Sequence, residues 1–262
     1  MSDSTNPLLT KLRLPGRTFQ LPSRGALYQN GELDATAKQG ELHVHPMSAL
    51  TEINLKNPDL LFNGKALISV VAECIPQIKK PTELFGRDVD ALLFFLRLVT
   101  YGSEYRIEVK HDCEHAKQHS YVVDLDQMVI NMKLLDPTLV EVKRVVTLPS
   151  GNKVITRPTK YEDVIALFHQ SEGKKDLTVE DIKELAVTNL RCMIQQVDDV
   201  TDPKFIEEWI RTLTTPEVTR ITEAAGELND WGPEQVVTLT CKDCKEPMKV
   251  ELPLNPVSFF TE

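Results

Sequence analysis

Apolar residues in the first half of the chain recur at helical spacing in two runs. Over residues 64–75 the pattern picks out Leu67, Ile68, Val70, Val71 and Cys74, and over 88–100 it picks out Val89, Leu92, Leu93, Leu96 and Val99. Two helices that pack together are expected, the second closed by Gly102, since glycine accepts a left-handed C-terminal cap. Residues 47–56 and 58–62 also read as helical. Elsewhere the period switches to two. A turn at Pro22 and Gly25 leads to a short alternating strand over 42–46; residues 104–109 put Tyr105, Ile107 and Val109 on one face, and a partner strand is expected over 121–125. Residues 138–157 alternate through Val140, Val142, Val145 and Thr147, turn at 149–152 and return through Val154, which predicts a β-hairpin.

A helical stretch follows. Residues 161–169 form one amphipathic helix, and Thr178 with Asp181 three positions on caps a longer one running to about residue 197. Asp202-Pro203 and Thr215-Pro216 open two more, each a capping side chain followed by proline, and helices continue to about Asn229. Strands over 235–239 and 248–252 close the chain. The fold class expected is α+β: a helical N-terminal part, a small split β unit with zinc-ribbon-like knuckles, and an inserted helical block. The corresponding division is a polar arm at 1–20, a mixed strand and helix region at 21–102, a split β unit at 103–158 plus 235–262, and a helical domain at 159–234.

Composition narrows the function classes. At 262 residues, 41% hydrophobic and 26% charged, the chain is of ordinary globular type. Its longest apolar run, residues 91–99, is interrupted by Arg97 and is well short of the roughly 20 residues that span a bilayer. The start of the chain lacks a basic region followed by an apolar one, so no secretory signal is expected and the cytosol is the simplest place of synthesis. Five cysteines, with Cys74 and Cys192 inside apolar patterns, do not read as a disulfide framework. A formal net charge of −9 argues against binding a phosphate backbone, which needs clustered Lys and Arg.

The chemistry lies in two cysteine and histidine clusters. Cys241 and Cys244 form a C-x2-C turn between two strands, the spacing of a structural Zn(II) half-site. The other half is expected in the segment that holds His111, Cys113, His115 and His119, more than a hundred residues earlier. The simplest ligand set is Cys113, His119, Cys241 and Cys244, with His111 and His115 open for the fourth place. The plainer alternative is a pair of thiols in a hairpin turn beside solvated histidines. His43, His45 and His169 read as strand and helix surface residues. A closed four-ligand site leaves no position for water or substrate. No G-x-S-x-G, P-loop, H-E-x-x-H or dinucleotide fingerprint is present, so no enzyme is expected. A hydrolase would need an open site with a base such as Glu114, and the acidic runs at 180–181 and 207–208 read as solvated helix faces.

Four stretches together carry a resemblance: residues 21–28 (LPSRGALY), residues 96–105 (LRLVTYGSEY), the Cys113 strand pair ending in Asp124-Leu125, and the C-x2-C pair followed by residues 250–254 (VELPL) and Phe259-Phe260. In that order and spacing the chain resembles the baseplate hub or hub-assembly proteins of T-even-type contractile-tailed bacteriophages. The resemblance implies a structural role without turnover in the tail baseplate, built in the host cytoplasm. It also implies contacts with other baseplate and tail proteins, several copies in a symmetric assembly, and no nucleic-acid or membrane partner. The N-terminal arm and the Phe259-Phe260 tail are then expected to order on neighbouring subunits. The competing class is a cytosolic zinc-containing adaptor or regulatory binding module.

Overall fold

The computed structural model of the chain describes residues 15–55, 65–113, 117–141, 144–171, 177–252, 254 and 259–260. It is α+β, with short antiparallel sheets and helices around two apolar cores. The helix expected over 58–62 lies outside the described residues.

The first core begins with a hairpin of β1 (Arg17–Gln20) and β2 (Glu41–Val44), paired antiparallel. Helices α1 (Ala49–Leu55) and α2 (Lys65–Cys74) follow. Next comes the longest helix, α3 (Gly86–Tyr101), ended by Gly102, whose N–H donates to Leu98 O. Both predicted helical faces are turned inward: Leu67, Val70, Val71 and Cys74 on α2, and Val89, Leu92, Leu93 and Leu96 on α3, are buried. Helices α2 and α3 share this core, and it is α1 that lies closest along α2. Phe19 of β1 stacks on Phe95 of α3 with ring centroids 4.5 Å apart, which fastens the hairpin to the helix.

The loop at 21–28 is held by α3 from within. Asp88, fully buried near the start of that helix, accepts the Ser23 N–H at 3.1 Å and the Tyr28 hydroxyl at 2.7 Å, and the Tyr28 oxygen in turn accepts the Phe85 N–H at 3.1 Å. The loop closes where Gly25 and Gly40 meet back to back with φ of +74° and +76°. A Cβ on Gly25 would come within 2.3 Å of Lys38 O, and one on Gly40 within 2.7 Å of Gly25 N. Gly25→Ala therefore meets both a disfavoured dihedral and immovable backbone. The variant is expected to lose more than about 2 kcal/mol in urea unfolding.

Burial pushes the Asp88 carboxyl up to about 6, against the smaller opposing pull of its hydrogen bonds from Ser23 and Tyr28. A carboxyl raised in the folded state stabilises most below the ordinary carboxylate range, and that contribution is lost as pH climbs through about 6. Asp88→Asn keeps one oxygen to accept the Ser23 N–H, turns an amide N–H toward the Tyr28 oxygen in place of the second acceptor, and does not titrate. The melting temperature of the wild type, relative to this variant, is expected to fall between about pH 4 and pH 6. A constant difference across that range would contradict the assignment.

The second core is made by what the chain does between residues 145 and 228. Strands β5 (Val145–Thr147) and β6 (Lys153–Thr156) form the predicted hairpin, preceded by a helical turn α5 (Thr138–Glu141), where strand had been expected. A short helix α4 (Leu125–Ile130) has come before, capped by the Asp124 carboxylate on the N–H groups of Asp126 and Gln127. Helices α6 (Tyr161–Ser171), α7 (Val179–Met193), α8 (Pro203–Ile210) and α9 (Thr215–Leu228) complete the region. Helix α7 carries the predicted Thr178–Asp181 capping box but stops at Met193. Residues Ile194–Val197, read from sequence as its last turn, are strand β7, which pairs with β6 and so ties the hairpin to the helical stretch. β-Branched Ile194 and Val197 suit a strand and bury in this core with Val154, Leu190, Ile206, Ile210 and Ile221. At α9 the cap sits one residue before the expected one: the Glu217 carboxylate accepts the Thr214 N–H and hydroxyl at 2.9 and 2.7 Å.

The chain passes between the hairpin and the helices of this region, and later leaves it, beside one point, the N-terminus of α3. Between β6 and α6, Gly86 N–H donates to Thr159 O and Tyr161 N–H to Leu84 O, both at 2.8 Å. On the way out, Arg87 Nε donates to Asn229 O at 3.0 Å and Trp231 O at 2.7 Å, and Trp231 is 2% exposed. The chain can therefore return to the first core with strands β8 (Val236–Thr240) and β9 (Pro247–Glu251). There they join β3 (Glu104–Lys110) and β4 (Gln118–Asp124), the hairpin that follows α3.

Phe259 and Phe260, expected to order on neighbours, bury in the chain's own first core at 0% and 1% exposure. The reason is Arg97. The arginine that interrupts the apolar run of α3 is itself buried, with its guanidinium carbon 4.5 Å from the Tyr105 ring centroid, 5.1 Å from that of Tyr101 and 5.5 Å from that of Phe259. Its Nη1 donates to Phe259 O, and Tyr101 Oη donates to Phe260 O at 3.2 Å. A buried guanidinium needs acceptors and aromatic faces, and the tail supplies both.

Candidate metal centre

The two cysteine-bearing segments are the tips of two hairpins. β3 and β4 pair in regular antiparallel register from Glu104↔Asp124 to Lys110↔Gln118, so the chain turns over between Lys110 and Gln118 and sets His111 and Cys113 at the tip. β8 and β9 pair from Val236↔Glu251 to Thr240↔Pro247, and residues 241–246 make the other tip. This second turn is a knuckle: Cys241 N–H donates to Glu246 O at 2.9 Å and Lys245 N–H to Cys241 O at 3.1 Å. Lys245 takes φ +65° to complete it, a conformation that costs a side-chain-bearing residue about 1 kcal/mol.

The ligand atoms of His111, Cys113, Cys241 and Cys244 all lie within 4.8 Å of one another. His111 Nδ1 is 3.3 Å from Cys244 Sγ. Zinc bonds of about 2.0–2.3 Å in a tetrahedron place donors roughly 3.5–3.8 Å apart, and the cluster, with every donor within 4.8 Å of the others, is about 1 Å wider at most. Cys241 is buried, Cys113 partly so, and Cys244 reaches the surface. The Cys241 thiol is pulled down to about 6, first by the backbone N–H of Cys244, then by that of Asp243 and by the Cys244 and His111 side chains. Those groups favour the thiolate, the form that binds metal. The cluster can hold a metal ion, and three sulfurs with one imidazole is a donor set suited to Zn(II).

Of the residues singled out from sequence, Cys113, Cys241 and Cys244 meet here, and the histidine with them is His111. His119 is placed differently. β4 starts at Gln118, earlier than the strand expected at Tyr121, so His119 is a strand residue opposite Val109. Its Nε2 lies 2.9 Å from Asp243 Oδ2 and outside the group of four. His115 lies outside the described residues.

Sequence reasoning passed over the residues that join the two tips without sulfur. Asp243 Oδ2 accepts the Lys117 N–H at 3.2 Å as well as facing His119. Tyr121 Oη accepts the Lys242 N–H at 3.1 Å. The Lys242 ammonium donates to Ser120 O at 2.6 Å and sits 4.9 Å from the Tyr121 ring centroid. Lys242 and Asp243 are the two residues between the cysteines, and in a C-x2-C pattern those places read as spacer. The Asp243 carboxyl is held below the usual carboxylate range, first by His119 and then by the Lys117 N–H.

Comparison with known proteins gives one family. No curated protein and no solved structure matches the chain. The family model described as T4 bacteriophage base plate protein matches residues 44–261, a span that takes in both hairpin tips, the second core and most of the first. The chain belongs to that family and is a T4-type phage baseplate structural protein, with its place in the virion tail.

Proposed function

We propose that this chain works in the central hub region of the baseplate as a structural or assembly component that binds other tail proteins and turns over no substrate. In this reading one Zn(II) is held by His111, Cys113, Cys241 and Cys244 and clips the β3–β4 hairpin to the β8–β9 hairpin. The observation that carries it is the convergence of those four donors from two hairpin tips more than a hundred residues apart. A site with four protein ligands has no open position and supplies folding energy instead of catalysis. The body that bears the clip is the first core. The inserted region, which takes in the β5–β6 hairpin along with the helices at 161–228, presents a separate surface to neighbouring subunits. The chain is present in several copies in a symmetric assembly, put together in the host cytoplasm.

Tails built with a chain bearing a dense tag in the exposed 149–151 turn test the hub placement by electron microscopy. Tag density on the baseplate axis is expected. Density confined to the periphery would contradict it.

A further inference from the structure

We propose that His119 and Asp243 are positioning residues for the metal site: with Lys117, Tyr121 and Lys242 they lock the two hairpin tips together before metal arrives and so set the spacing of the four ligands. The inference deepens the zinc reading above and rests on it.

The lock is built from groups that are not ligands. An ionised carboxylate only accepts hydrogen bonds. Asp243 Oδ2 takes one from His119 Nε2, on β4, and one from the Lys117 backbone, at the end of the first tip. Asp243 itself lies between the two cysteines of the second tip, so the carboxylate pins the middle of one knuckle to the base of the other. Tyr121, two residues along the same face of β4, repeats the connection by accepting the Lys242 N–H, and the Lys242 side chain returns it by donating to Ser120 O. Both spacer residues of the C-x2-C turn are thus fastened to β4 or its approach.

Local geometry makes this more than packing. The knuckle backbone fixes where Cys241 and Cys244 point. If its two middle residues are held by the opposite hairpin, the distance from those sulfurs to His111 and Cys113 is set by the lock and not by the ion. Groups outside the ligand set that orient ligands in this way typically change metal affinity by about 10–100-fold.

The test uses the full chain and a competing chromophoric chelator to measure Zn(II) affinity, with Co(II) absorption as a second readout. His119→Ala and Asp243→Ala are each expected to weaken zinc binding by about 10-fold or more while keeping one metal per chain. The double variant is expected to be no weaker than the worse single one, because both remove the same contact. His119→Gln, whose side-chain amide can donate to Asp243, is expected to recover most of the affinity. A merely structural role would lower the melting temperature without this rescue of affinity. The Co(II) spectrum at full loading should retain its thiolate charge-transfer bands and ligand-field pattern in His119→Ala, since no ligand is lost. Unchanged affinity in both single variants, or additive losses, overturns the lock. A changed ligand-field pattern in His119→Ala makes His119 a ligand and overturns it too. If the wild type binds neither zinc nor cobalt, it is the zinc reading that has failed, and the lock falls with it.

Discussion

Replacing Cys113 by serine is expected to abolish zinc binding by the purified chain and to lower its melting temperature by ~10 °C or more. The size follows from what the site joins. Cys113 sits on one hairpin tip and Cys241 and Cys244 on the other, and each hairpin is a two-stranded sheet, which on its own is marginal in water. A serine oxygen is a poor substitute for a thiolate at zinc, so the variant keeps three donors of four and binds weakly. Because a structural ion binds the folded chain and not the unfolded one, the binding free energy appears as stability. Circular dichroism melts with and without a strong chelator check the cause. The chelator should lower the wild type to the level of the variant and leave the variant unmoved. Equal melting temperatures for wild type and variant in zinc-containing buffer would mean that the cluster does not act as a clip.

Phe259→Ala costs ~3–5 kcal/mol in the isolated chain. The side chain is fully buried among Phe94, Tyr105 and Phe260, with ring centroids 5.3, 5.1 and 5.5 Å away, so truncation opens a cavity in the first core. It also strips one aromatic face from the buried Arg97 guanidinium. Urea unfolding of the monomeric chain provides the measurement, with the change read in the midpoint at constant slope. A loss under ~0.5 kcal/mol is the result for a side chain that packs only on a neighbouring subunit, and it would overturn the assignment of the tail to this core.

Much of the architecture was legible because it is written in periods and caps. The inward faces of α2 and α3 follow from 3.6-residue spacing. The starts of α7 and α8 follow from side chains whose capping bonds form, at Thr178–Asp181 and at Asp202 to Lys204 N–H. What was missed depends on partners distant in sequence. Residues 194–197 continue a helical pattern locally and become β7 because β6, about 40 residues earlier, offers an edge to pair with. Arg97 looked like an interruption and Phe259-Phe260 like an unattached tail, because nothing local shows that each completes the other's surroundings.

The metal cluster divides the same way. Cysteine spacing identified three of the four grouped donors, since thiol chemistry is specific and the C-x2-C turn is compact. The histidine could not be chosen from sequence, for three candidates lie within nine residues and the decision turns on where β4 begins. Starting at Gln118 makes His119 part of the ladder and leaves His111 at the tip. That early start is itself supported by the contacts of Asp243 with Lys117 and His119, carried by a residue that had read as a spacer.

The proposed function rests on a closed zinc site made by His111 and three cysteines. Elemental analysis of zinc in the purified wild type, His111→Ala and His119→Ala proteins tests it most directly. About one zinc per chain is expected in the wild type, retained in His119→Ala at saturating metal and lost from His111→Ala. Zinc retained in His111→Ala and lost from His119→Ala, or no zinc in the wild type, would contradict it.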